Sequence, residues 1–375
     1  MTAPLAGIRV IEVGHMLAGP YCGLMLADMG AEVIKVETPE GDIARSVSPH
    51  FVGPHNAYFA SLNRNKKSVV LDLASPEGRA DLLQLAASAN ALVTNLRPSA
   101  IRKLGLTYES LRVANERLVC VALTGYGLDG AHADNPAYDY VIQALTGVMA
   151  LTGDPEAPPT KAGYSAVDNS AGLVAALGLL AKIVEGKGGQ VDVSMYDVML
   201  SQLNYLAGAA LNAGETVERQ PHSSHPYVVP AQVFATSQGW LTLFITHDRF
   251  WKVFCEEIGQ PGWIADPRFA TMAARRANRA QVVAAIGAVL RQASADEWVR
   301  RLAPRGLVVA AVGSLNDALE GDIARDRGLV VTLGDGGVAL RAVASPLRFS
   351  GYVPRYGLPP LLNEHAETVL RKDLV

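Results

Sequence analysis

The chain predicts an α/β fold with a doubly wound, parallel sheet. Three observations carry this. Short β-branched runs alternate with helical segments through the first third of the chain. The loops between them are short, as in consecutive strand–helix–strand units. And 49% of the 375 residues are hydrophobic against 18% charged, enough for a large core and too apolar for disorder.

The elements follow in order. Ile8 to Val13 is an apolar run closed by Gly14, a buried strand. His15 to Pro20 forms a turn. Tyr21 to Met29 has helical spacing and stops at Gly30; Glu32 to Val36 is the next strand. Ser68 to Leu73 is a third strand. Ser75-Pro76 then opens a helix reaching about Ser88, Ser as cap and Pro in the first turn. Ala91 to Thr94 is a strand, Thr107 to Val113 a helix, and Leu118 to Leu123 another strand. Leu173 to Val184 is almost wholly apolar and predicts a buried helix. Gly186 to Gly189 is a glycine-rich turn, Gln190 to Met195 a strand, and Tyr196 to Asn212 one amphipathic helix. Residues 213–230 are polar and proline-punctuated, a linker. Gln232 to Ala235 and Trp240 to Ile245 read as a hairpin. Helices at Arg249 to Ile258, Arg279 to Gln292 and Ala295 to Leu302 make this a smaller α+β region. Leu307 to Val312 is apolar, Gly328 to Ala342 reads as strands turning at Gly334-Asp-Gly-Gly337, and Asn363 caps a last helix.

Composition excludes several classes. Net charge is −3, the wrong sign for a nucleic-acid face. Cys22, Cys120 and Cys255 are far apart, without disulfide or zinc spacing. The start lacks a signal peptide's basic and apolar pattern. The Leu173–Val184 stretch is too short to span a bilayer and is interrupted by Gly178. A cytoplasmic protein without a membrane or nucleic-acid partner is the expectation. The first turn, Gly14 to Pro20, is not G-x-G-x-x-G, which counts against NAD, although Glu37 stands where a ribose hydroxyl would be held. The basic stretch Asn63 to Lys67, with Arg97 and Arg102-Lys103, is either a solvated surface or a phosphate-binding edge. His222 and His225 form H-x-x-H without a third ligand, a loop rather than a metal site.

Asp168 stands out. It precedes the apolar helix among small residues, Asn169, Ser170 and Ala171. Two readings are open: a helix N-cap, for which Asp is preferred, or a catalytic carboxylate kept ionised by the helix N-terminus.

Several stretches together resemble the class III CoA-transferases, the group of formyl-CoA and carnitine CoA-transferases. They are Leu5 to Glu12, Ala18-Gly-Pro20, Leu26 to Glu37, Asn65 to Ser68, Asn95-Leu-Arg-Pro98, Pro136-Ala-Tyr-Asp139, Asp168 with Gly172, Gly186 to Gln190 and Glu364-His365. They span nearly the whole chain in the family's order. The resemblance implies a Rossmann-like large domain built from both chain ends (1–212 and 306–375), a linker at 213–230, a small α+β domain at 231–305, and an interlocked homodimer. It also implies that Asp168 is the nucleophile. A carboxylate suits the task, because moving CoA between acids without ATP requires a covalent intermediate that keeps the thioester's energy. By position, CoA contacts fall on Leu17, Ala18, Leu71, Asp72, Leu73, Ala74, Asn95, Leu96, Arg97, Lys103, Ala137, Tyr138 and Asp139. CoA and its acyl thioesters are then substrates, with no tightly bound cofactor and no metal. Succinyl-CoA is the favoured donor and a short dicarboxylate the acceptor. Arg45, His15 and His225 are candidates for a second carboxylate, and Ser224 to Pro230 for an active-site loop.

Three other functions compete. An α-methylacyl-CoA racemase shares the fold but places a His where this chain has Tyr138; a phenol, titrating near 10 in model peptides, is a poor base at neutrality. An NAD-dependent oxidoreductase lacks its glycine fingerprint. In a non-catalytic CoA-binding protein, Asp168 would be a cap alone.

Overall fold

The structure is a computed structural model that describes residues 2–334 and 339–370. The chain forms two compact units. Residues 1–146, 163–208 and 319–375 make the larger, and 147–162 and 209–318 the smaller.

The larger unit is organised on six parallel strands: β1 (Arg9–Val13), β2 (Glu32–Glu37), β3 (Lys67–Val70), β4 (Ala91–Thr94), β5 (Val119–Thr124) and β6 (Gly189–Ser194). Their spatial order is β3-β2-β1-β4-β5-β6. Every neighbouring pair is parallel, with Ile11 facing Ile34 on one side of β1 and Leu92 on the other. Chain direction around the sheet therefore reverses between β1 and β4, and a crevice opens beyond their carboxyl ends. The central strands are buried on both faces, which is why they read as unbroken apolar runs rather than alternating ones.

Helices α1 (Ala18–Asp28), α2 (Ala57–Asn63), α3 (Pro76–Ser88), α4 (Pro98–Lys103), α5 (Tyr108–Leu111), α6 (Asp139–Leu145), α7 (Ala166–Glu185) and α8 (Met195–Gln202) belong to this unit. Ser75 Oγ accepts Gly78 N–H at 3.0 Å and so starts α3. α1 begins three residues before the expected Tyr21, because a left-handed Met16 (φ 63°) tightens the preceding turn. Asp42 holds that turn, its Oδ1 accepting Met16 N–H at 3.1 Å and Ala44 N–H at 2.9 Å.

Four expectations change. Gly178 does not interrupt α7, a continuous 20-residue helix long and apolar enough, by length and composition alone, to cross a bilayer. Nor is α7 buried all round. Its small residues, Ala171, Gly172, Ala175 and Ala176, pack inward, while Leu173, Leu177 and Val184 are exposed on the single chain. The expected helix from Tyr196 to Asn212 is two, α8 and Asn204–Ala213, broken where Asn204 takes φ 23°. Asn363 caps no helix. Its Oδ1 accepts Val70 N–H at 2.8 Å, and His365 N–H donates to Ser68 O at 3.0 Å, so the returning chain satisfies the open edge of β3.

In the smaller unit, strands β7 (Ala231–Ala235), β8 (Trp240–Phe244) and β9 (Val308–Ala311) form an antiparallel sheet ordered β9-β8-β7. Helices Asp248–Glu257, Arg279–Leu290 and Ala295–Leu302 cover it around Trp251, Phe254, Ile286 and Trp298. Val330–Leu333 and Leu340–Val343 pair antiparallel in the larger unit; beyond Gly334, the turn expected between them lies outside the described residues.

Candidate active site

The loops at the carboxyl ends of β1 to β5 line two cavities in the larger unit. One of 760 Å³ lies over Val13 to Met16, Val36 to Ile43 and Leu71 to Ala74. One of 230 Å³ lies over His15 to Ala18, Tyr58, Asn95 to Pro98, Gly125, Ala137, Tyr138, Asp168 and Met195. His15, Met16, Leu96 and Tyr138 line both.

This brings most of the sequence candidates together. Leu17, Ala18, Asn95, Leu96, Arg97, Ala137, Tyr138 and Asp168 line the smaller cavity, and Leu71, Asp72, Leu73 and Ala74 the larger. Two line neither. Lys103 is exposed at the end of α4. Asp139 is buried beneath the site, accepting Val167 N–H at 2.9 Å and Gln143 Nε2 at 2.7 Å. Asn95 lines the cavity, but its side chain is committed elsewhere: Oδ1 accepts His15 N–H at 3.1 Å and Nδ2 donates to His15 O at 3.0 Å. It shapes the first turn, whose Gly14 and Gly19 leave its amide room; a Cβ on either would lie 2.2 or 2.9 Å from Asn95 Oδ1.

Asp168 is not an N-cap. It is the third residue of α7, and Ser165 holds the cap position. Its carboxyl lines the smaller cavity, and among the described residues it accepts no hydrogen bond. The sequence suggested a helix N-terminus that favours its anion. Instead, burial, followed by the nearby Asp139 carboxylate, pushes Asp168 up to about 7. Burial, then the Asp168 and Asp42 carboxylates, raises the Tyr58 phenol. α7 reaches the site by packing on α1. Gly172 permits this, because a Cβ there would lie 2.7 Å from Ala18 O.

The basic stretch of residues 63–67 is neither solvated surface nor phosphate edge. Arg64 clasps Asp28, with Nε to Oδ1 at 2.9 Å, and Lys67 meets Glu32. Lys66, fully buried, sits 2.7 Å from Glu12 Oε2 and donates to Pro20 O and Asn63 Oδ1, both at 2.8 Å. Lys35, equally buried, bridges Glu12 at 2.9 Å and Asp42 at 2.8 Å and donates to Gly14 O at 3.0 Å. Glu12 and Asp42 face burial too, yet their lysines hold both below the usual carboxylate range. Arg45 is not free for a substrate carboxylate. It forms a two-point pair with Glu37, at 2.7 and 2.8 Å, and stacks 3.8 Å over Phe59. Glu37 lines the larger cavity but also accepts Ser68 Oγ and Asp42 N–H, leaving little of it for a ribose.

Sequence reasoning missed Tyr58, Met195 and Asp42. Tyr58 follows Asn56, whose Oδ1 accepts its N–H at 2.9 Å. That Asx cap was a legible signal for a helix start aimed at the site. Met195 carried none.

In the smaller unit, His225 Nδ1 accepts Tyr227 and Val228 N–H at 3.1 and 3.2 Å, folding the 224–230 segment on itself. Burial, then the Arg279 cation, lowers its proton affinity. Among the described residues no three His, Cys, Asp or Glu side chains gather to hold a metal.

A family model described as CoA-transferase family III matches residues 5–366. A succinate–glutarate CoA-transferase of Agrobacterium fabrum is 34% identical, the match covering 98% of this chain and 95% of that protein. An acetyl-CoA:oxalate CoA-transferase of Acetobacter aceti is 34% identical over 99% of this chain and 95% of its own. The crystal structure of a CaiB/BaiF family protein from Brucella suis superposes with a TM-score of 0.86 at 32% identity, covering 98% of this chain and 99% of that one.

Proposed function

The chain belongs to CoA-transferase family III, and from that premise we propose that it moves CoA from succinyl-CoA to a small dicarboxylic acid through a covalent intermediate on Asp168. The observation that carries this is the Asp168 carboxyl itself. It faces a cavity at the carboxyl ends of a parallel sheet, accepts no hydrogen bond among the described residues, and is pushed up to about 7. An ordinary exposed carboxylate is a weak nucleophile. One desolvated and of higher proton affinity is stronger, and near neutrality still ionised in good part.

Asp168 Oδ attacks the donor thioester carbonyl, and the C–S bond breaks to release CoA thiolate from a mixed anhydride. The thiolate then attacks the aspartyl carbonyl. Succinate leaves, taking an Asp168 oxygen, and an aspartyl-CoA thioester remains. The acceptor carboxylate attacks that thioester and forms a second anhydride. CoA thiolate attacks the acceptor's carbonyl, and Asp168 is regenerated with one oxygen from the acceptor. The small cavity admits the acyl group beside Leu17, Ala18 and Ala137. The larger cavity, over Leu71 to Ala74, receives the nucleotide, with Arg97, which lines the smaller cavity, on the phosphate side. CoA thioesters are substrates, and no tightly bound cofactor enters the route.

A succinyl donor and dicarboxylate acceptor draw support from the Agrobacterium fabrum relative, named for succinate and glutarate. An interlocked homodimer draws support from the exposed apolar faces of α6 and α7, where Val141, Leu145, Leu173, Leu177 and Val184 lack cover on the single chain. The test is turnover of succinyl-CoA with glutarate, oxalate and monocarboxylates, using ¹⁸O-labelled acceptor. Label appearing in Asp168 supports the route. Transfer without label in Asp168, or α-proton exchange without transfer, overturns it.

A further inference from the structure

The first turn of α7 has no side-chain cap of its own: Ser165 accepts nothing from it. The amide it leaves open, Val167 N–H, donates instead to Asp139 Oδ1 at 2.9 Å, a carboxylate from the first residue of α6. The other oxygen accepts Gln143 Nε2 at 2.7 Å, and the residue is 5% exposed. One buried carboxylate thus sits in the first turn of its own helix and caps the next one in trans. The amide it holds is adjacent in sequence to Asp168. Among the described residues, no Lys or Arg forms an ion pair with Asp139, unlike Glu12 and Asp42 in the same unit.

We propose that Asp139 is a positioning residue for the nucleophile: it fixes the first turn of α7, so that Asp168 faces the cavity, and sets a second negative charge behind it. The proposal rests on Asp168 being the nucleophile and deepens that reading. The resemblance placed Asp139 among the CoA contacts; in the structure it is buried, its oxygens accept from Val167 and Gln143, and it lines neither cavity. Its charge has a direct consequence, because Asp139 is the nearby charge that adds to burial in raising Asp168. The other ionisable groups around Asp168 are Tyr58 from α2 and, lining the same cavity, His15, Arg97 and Tyr138. A nucleophile raised this way trades ionisation at low pH for reactivity above neutrality.

Two variants separate the two contributions. Asp139→Asn keeps an oxygen for Val167 N–H and removes the charge; Asp139→Ala removes both. In ligand-free protein, carbodiimide labelling of Asp168 follows its protonated form and is read by peptide mass across pH. The wild-type midpoint falls near 7. In Asp139→Asn it moves down by about one pH unit, and the acid limb of kcat moves with it. Asp139→Ala also loses kcat at every pH, by about tenfold or more, with a smaller change in KM for the acyl-CoA. An Asp139→Asn midpoint equal to the wild type's overturns the proposal. The labelling needs no acyl-CoA, so failure of acyl transfer to Asp168, which would sink the functional reading, leaves this readout interpretable.

Discussion

Two groups of buried carboxylates lie in the larger unit, and they are treated in opposite ways. Beneath α1, Glu12 and Asp42 are matched by Lys35 and Lys66, each ion shared or hydrogen-bonded, and both carboxylates are lowered. At the start of α7, Asp168 has Asp139 nearby and no ion-pair partner among the described residues, and it is raised. The first arrangement locks the turn carrying Met16 and Leu17. The second leaves a carboxylate that accepts no hydrogen bond among the described residues and lines a cavity. Burial is common to both, so the difference lies in the partner charge. A compensated buried acid is structural, and an uncompensated one in a cavity is poised to react.

The sharpest break in the comparison is Asp168→Ala. Transfer falls by about 10⁴-fold or more in a steady-state assay, with no loss of thermal stability. The counterpart beneath α1 is Lys35→Met, which leaves Glu12 and Asp42 facing each other without that ammonium. Breaking a buried pair costs about 3–5 kcal/mol, read as a lowered urea midpoint. Gly172→Ala tests how α7 is seated. The added Cβ meets Ala18 O, and overpacking there costs roughly 2 kcal/mol. Since Ala18 lines the small cavity, KM for the acyl-CoA rises as well.

The smallest effect concerns pH and carries the clearest sign. Folded Asp168 holds its proton up to about 7, whereas an unfolded Asp releases it near 4. Between these values the folded state binds more protons, so stability falls as pH rises through that window. Asp168→Asn therefore stabilises at pH 8, by about 1–2 kcal/mol, and hardly at all near pH 4, as thermal melts at the two pH values would show. Glu12 and Asp42 act in the opposite sense. Their contribution is present above the unfolded pKa and lost as pH falls through their lowered folded values.

The sheet was legible because its strands carry their own signal. Val10 to Val13 and Ala91 to Thr94 are β-branched, largely apolar runs, buried throughout, and Ser75-Pro76 marks a helix start without tertiary help. Asp168 was legible through its place before an apolar helix, and Arg97 and Tyr138 through motif position. What did not show was pairing across long sequence distances. Lys66 read as a surface charge or a phosphate contact because Glu12, 54 positions earlier, reaches it only once the chain has folded. Nothing local to Asp139 reveals that its oxygen accepts from Val167, 28 residues on. The proton affinity of Asp168 was misjudged for the same reason. The helix N-terminus is written in the local sequence, and the Asp139 carboxylate behind it is not.

The most direct test of the central claim is the mass of the protein after incubation with succinyl-CoA, with and without hydroxylamine, for wild type and Asp168→Ala. The account predicts a CoA-sized adduct on the peptide bearing Asp168, converted to the hydroxamate by hydroxylamine and absent from the variant. An adduct on another residue, or full transfer by Asp168→Ala, would contradict it.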